Sequence, residues 1–223
     1  MQHENSAAAH VQEVFTEGIA GIFCEHEFLQ SIRCLEHRSY IERYYLLSVA
    51  PVLAEVKPAT LISFKHCCRD AWNSLRTRLE EATGLCSAEL YMGEGIFSLL
   101  IYSEVLLTAR ISEPSSRRIL ENHGYPKEAD LAALISFLTA RFGQCRFPHE
   151  IGVFLGYPPK DVQAFIEKNG KDFLCCRYWK VYHDERCARK TFSDIDNAKA
   201  RAIRLLALQI PINTAAKMLR NTT

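Results

Sequence analysis

"AELYMGEGIFSLLIY", residues 88–102, is the stretch on which the fold class turns. Two runs of strand-forming residues flank a tip at Gly93 and Gly95, which predicts a β-hairpin. In the second run, residues 96–102, the residues on both faces of the pleat are apolar apart from Ser98. That is the pattern of a central strand covered on both sides. Upstream, residues 60–64 combine β-branched and apolar types and predict a further strand. Before them, Pro51 and Pro58 bracket a short turn of helix.

Helical signals surround these strands. Asp70 opens an amphipathic pattern through Trp72, Leu75 and Leu79 that Gly84 stops. Ser103 and Ser112 are natural N-caps for two short helices, the second ending at Gly124, and Pro126 starts another whose stripe is Leu131, Leu134, Ile135 and Leu138. "FPHEIGVFLGYPPKDVQAFIEKNG", residues 147–170, reads as helices over 148–155 and 159–168 separated by Gly156. "FLCCRYWKVY", residues 173–182, predicts a last strand with Tyr178, Lys180 and Tyr182 on one face and Arg177, Trp179 and Val181 on the other. Asp184 then starts a long helix that Pro211 terminates.

Nearer the N-terminus, Phe28, Ile32 and Leu35 share a helical stripe, and "SYIE", residues 39–42, has the form of a capping box that starts a second helix near Tyr40. The expected organisation is a helical extension over residues 1–38, a single domain over 39–209 and a tail over 210–223. The expected fold class is α+β, or a short α/β sandwich, with a small three- to four-stranded mixed sheet packed by many helices.

Composition narrows the function classes. Twenty-seven Lys and Arg balance 26 Asp and Glu for a formal charge of +1, so no global field draws the chain to nucleic acid or an anionic membrane. The apolar runs fall well short of the roughly 20 residues that span a bilayer. "MQHENSAAAHVQEVF" at the start lacks the pattern of a secretory signal, which points to the cytoplasm. Nine cysteines, an odd number without an export signal, are expected to be thiols. The vicinal pairs Cys67-Cys68 and Cys175-Cys176 lack the two-residue spacer of common zinc sites, so they read as small buried hydrophobes.

The segments "APVLAEVKPATL", "FPHEIGVFLGYPPKDVQAFIEKNGKDF" and "YWKVY" together resemble, in order and spacing, a bacterial family named domain of unknown function 3793. The similarity runs over residues 40–208, and its most specific blocks are "PHEIGVFLGYP" and "WKVY". The resemblance implies a bacterial, cytosolic, single-domain protein and brings no activity, cofactor or catalytic residue with it. Arg177 stands where the family pattern often has glycine.

Within the resembling blocks, His149 and Glu150 follow Pro148 at an expected helix start, where free amides and the dipole favour anions. A neutral imidazole there could serve as a ligand or a base. Adjacent helical side chains diverge by about 100°, so the two cannot act as a pair, and partners must come from elsewhere. The candidates are Lys57, Tyr157, Trp179, Lys180 and Tyr182. The expected function is therefore binding of a small anionic or redox-related ligand, or a metal, near His149. The alternatives are a non-catalytic protein-interaction module acting through an aromatic surface, and helix-turn-helix-like DNA binding by residues 151–166. That last segment offers little net positive charge for phosphates.

Overall fold

The computed structural model describes residues 25–93, 95–144 and 147–221. Of the expected N-terminal extension, residues 1–24 lie outside the described residues, as do hairpin-tip residue 94 and Cys145. In chain order the elements are α1 (Glu25–Ile32), α2 (His37–Leu53), β1 (Ala59–Lys65), a 3-10 turn (His66–Cys68), α3 (Arg69–Thr83), β2 (Cys86–Gly93) and β3 (Ile96–Tyr102). There follow α4 (Glu104–Ser112), α5 (Pro114–Asn122), α6 (Leu131–Gln144), α7 (Ile151–Phe154) and α8 (Pro159–Glu167). The chain ends with β4 (Cys175–Cys176), β5 (Lys180–Val181), α9 (Glu185–Ala207) and α10 (Ile212–Arg220).

The β2–β3 hairpin forms, and β3 is the central strand of the order β1-β3-β2. Both pairings are antiparallel, so the sheet is not mixed as expected. The two faces of β3 explain its continuous apolarity. Phe97, Leu99 and Ile101, with Ile62 and Phe64 of β1, enter a core shared with α1, α2, α3, α9 and α10. Leu100, with Ala59 and Leu90, enters a second core shared with α4 to α8. The polar interruption at Ser98 is satisfied across the ladder, where its hydroxyl lies 2.7 Å from that of Ser63. Helices on both faces of a small antiparallel sheet make this an α+β fold.

Several local expectations shift for physical reasons. α2 starts at His37, ahead of the proposed capping box, because Ser39 pairs with the Glu36 carboxylate (3.4 Å) instead of capping an amide. It continues through Pro51, which sits in its last turn and whose carbonyl accepts from the amides of Val56 and Lys57. Ser112 bonds back to the Thr108 carbonyl, leaving Glu113 to precede α5. α6 starts at Leu131 rather than at Pro126, its first turn capped by Asp130, whose carboxylate accepts from the Ala133 amide at 2.8 Å. α7 is a single turn, and α8 buries Asp161, Val162 and Ala164 against the domain. Residues 210–223, expected as a tail, include α10, which buries Ala215, Ala216 and Leu219 in the first core.

The segment 173–182 is a tight hairpin rather than one strand, with Cys175 opposite Val181 and Cys176 opposite Lys180. The bend at 177–179 breaks the two-residue alternation. Trp179, Val181 and Tyr182 are consequently all buried, while the Tyr178 ring lies against Phe192 of α9.

Gly156 links this architecture to the site below. Its φ is +81°, and a Cβ built there would stand 2.3 Å from Cδ of Pro58. The Pro58 ring cannot swing aside, since its carbonyl accepts from Ser103 at the head of α4 (3.0 Å). Gly156→Ala is expected to cost about 2–4 kcal/mol, combining left-handed strain with overpacking. Urea denaturation should show a lowered midpoint at unchanged slope.

Candidate functional site

The loop after α2, the α7–α8 corner and the β4–β5 hairpin meet around a cavity of about 480 Å³. This is within the size range of small-molecule pockets. The corner is tight because Gly152 lets α8 approach closely, a Cβ there falling 2.9 Å from Val162. That approach places Tyr157 over Trp179, their rings stacked at 5.2 Å and 26°. Trp179 is also held edge-on by Phe192 at 4.5 Å. Phe147, Phe165 and Tyr178 add to the aromatic lining.

Asp161 organises this wall. It is the acid of the first turn of α8, 3% exposed, and its two oxygens accept from four donors. Oδ2 accepts from the Trp179 indole (3.0 Å). Oδ1 accepts from the amides of Tyr182 (2.9 Å) and His183 (3.2 Å) and lies 3.1 Å from His183 Nδ1. The indole N–H of a buried tryptophan needs such a partner, and here it fixes the ring that walls the cavity.

Among the described residues three cations line the space, and two are already engaged. Lys180 donates to the Gly170 carbonyl (2.7 Å) and lies over Phe173. Arg177 pairs with Asp196 at 2.8 Å. Lys57 is different: its ammonium lies over the Tyr157 ring at 5.7 Å, and among the described residues no carboxylate pairs with it. Burial, and then the charge of Lys199, push the Lys57 ammonium down to about 8.

Of the residues named from sequence, Lys57, His149, Tyr157, Trp179 and Lys180 line this one cavity. His149 is exposed at its edge, with its ring edge-on to Phe165 at 5.1 Å. Glu150 does not reach it. Its carboxylate is buried elsewhere, accepting from Arg141 Nε (2.8 Å) and the Tyr125 hydroxyl (3.4 Å). Tyr182 also turns away and lines a separate cavity of about 500 Å³ beside His183, Lys160 and Lys168. Sequence reasoning passed over Asp161 because an acid in a first helical turn already has an ordinary dipole explanation.

Converging metal donors lie elsewhere. Among the described residues, His37, Cys67 and Cys68 place one donor atom each within 4.8 Å of the others, and none of them lines the cavity. Cys67 is exposed and only Cys68 is buried, so the pair is not the two buried hydrophobes expected. Among the described residues no helix is long and apolar enough to cross a membrane.

No curated protein and no solved structure matches the chain. Residues 46–215 match the model of the family described as "Protein of unknown function (DUF3793)", and the chain belongs to that family.

Proposed function

We propose that the cavity binds a small monoanion with an apolar body, of the kind an aromatic carboxylate presents. The observation that carries this is Lys57, a cation without a carboxylate partner among the described residues, beside an aromatic-walled space of molecular size. Arg177 and Lys180 are committed to protein partners, so among the described residues one positive charge is on offer, which suits a carboxylate better than a phosphate dianion. Phe147, Phe165, Tyr157 and Trp179 supply the apolar surface, and the His149 imidazole at the edge adds a polar group for orientation.

Titration calorimetry with benzoate and indole-3-carboxylate, against neutral benzamide, tests this. The carboxylates are expected to bind, and Lys57→Met to weaken them about 10–100-fold, the worth of a hydrogen bond to a charged group. The sign of the pH dependence follows from Lys57. Its charge is present below about 8 and lost above it, so affinity should fall as pH rises from 7 to 9. A bound anion favours the ammonium, so complex formation near pH 8 should take up protons. Equal affinity in Lys57→Met with a flat pH profile would overturn the proposal. An absence of binding by every probe would instead favour a protein-interaction module built on exposed Phe147, Phe173 and Leu174.

A further inference from the structure

His37 is the first residue of α2, while Cys67 and Cys68 end the 3-10 turn that carries β1 into α3. Cys67 lies 30 positions after His37 in sequence, and the packing of α2 against β1, the turn and α3 closes that distance. One donor atom of each then lies within 4.8 Å of the other two. Adjacent side chains in a 3-10 turn diverge by about 120°. The two thiols nonetheless converge, their sulfurs within 4.8 Å of each other.

Packing accounts for only one of the thiols, since Cys68 belongs to the first core while Cys67 is exposed. Cys68 precedes α3 but makes no capping hydrogen bond, and no disulfide joins it to Cys67. Cys68 is buried, whereas His37 and Cys67 are exposed and open to a solvated ion.

We propose that His37, Cys67 and Cys68 form a three-ligand site for a thiophilic d10 cation, Zn²⁺ or Cu(I). Two thiolates and an imidazole are the donor set these ions prefer. Around one Zn²⁺, with Zn–S near about 2.3 Å and Zn–N near about 2.0 Å, donors stand roughly 3.5–3.8 Å apart. The exposed His37 and Cys67 can close the remaining gap by changing rotamer. On binding, each thiol gives its proton to solvent and the imidazole contributes a lone pair. Zn²⁺ would retain a water as fourth ligand, whereas Cu(I) is satisfied by three. Either ion would tie the start of α2 to the β1–α3 turn. The site is independent of the Lys57 cavity.

The test uses the full chain, reduced with a phosphine and titrated with Co²⁺ as a spectroscopic stand-in for Zn²⁺. A second arm titrates Cu(I) against a chromophoric chelator. The expected result is one equivalent bound, with a thiolate-to-cobalt charge-transfer band in the first arm or retention of Cu(I) in the second. Which arm responds identifies the ion. Cys67→Ser and His37→Asn, both at exposed positions, should each weaken binding by at least about 10–100-fold, the loss that even outer-shell changes produce. Cys175→Ser, in the other vicinal pair, should bind as the parent does. Circular dichroism establishes that each variant is folded. The proposal is overturned if neither ion is held, or if Cys67→Ser and His37→Asn bind with parental affinity.

Discussion

Asp161→Ala is expected to destabilise the protein by about 3–5 kcal/mol and to abolish binding in the cavity. The carboxylate is the common acceptor for the Trp179 indole and the amides of Tyr182 and His183. Trp179 and Tyr182 are each only 9% exposed, so water cannot replace the lost acceptor without opening the hairpin. Each buried donor left unsatisfied costs about 1–3 kcal/mol, and three donors share this loss without full additivity. The His183 side chain is 51% exposed and can be rehydrated, so it adds little. Asp161→Asn keeps the shape and one acceptor oxygen but turns an NH₂ toward some of the same donors, so a loss of about 1–3 kcal/mol is expected. Urea titration followed by tryptophan fluorescence reads both. A loss below about 1 kcal/mol for Asp161→Ala would mean that the hairpin is held by its apolar contacts instead.

What sequence could show depended on whether a pattern was local and periodic. β3 was legible because a central strand must be apolar on both faces, and α3 because its stripe of Trp72, Leu75 and Leu79 meets one core and stops at Gly84. The limits of α2 were not legible. This helix buries Tyr45, Leu46, Leu47, Val49 and Ala50 in succession, and a helix enclosed on all sides shows no stripe from which to read a phase. The two-residue strands of the β4–β5 hairpin are too short for any period to register.

The candidate site divides in the same way. Lys57 and Tyr157 stood out by their setting among prolines and glycines, and those residues, Pro58, Gly152 and Gly156, bring the loop after α2 against the α7–α8 corner, whereas Trp179 is held at the cavity by Asp161. The His37–Cys67–Cys68 convergence has no counterpart in local spacing. Only the packing of α2 against the β1–α3 turn creates it, so a search for two-residue spacers between cysteines passes over it.

Adjacent His149 and Glu150 should respond oppositely to substitution. Glu150→Ala is expected to cost about 2–4 kcal/mol, because the carboxylate is 1% exposed and accepts from Arg141 and Tyr125 inside the second core. Removing one member of a fully buried pair costs about 3–5 kcal/mol, and the lower figure here reflects Arg141, whose side chain is 28% exposed and so partly solvated. Glu150→Gln retains an acceptor for Arg141 and should fall between Glu150→Ala and the parent. His149→Ala removes an exposed ring that touches Phe147 and Phe165, and its effect on stability should not exceed about 1 kcal/mol. Binding of the carboxylate probes should reverse the order, with His149→Ala weakening it and Glu150→Gln leaving it near parental. If Glu150→Ala costs less than about 1 kcal/mol, or if Glu150→Gln abolishes probe binding, the division of this dipeptide into one structural and one ligand-facing residue is wrong.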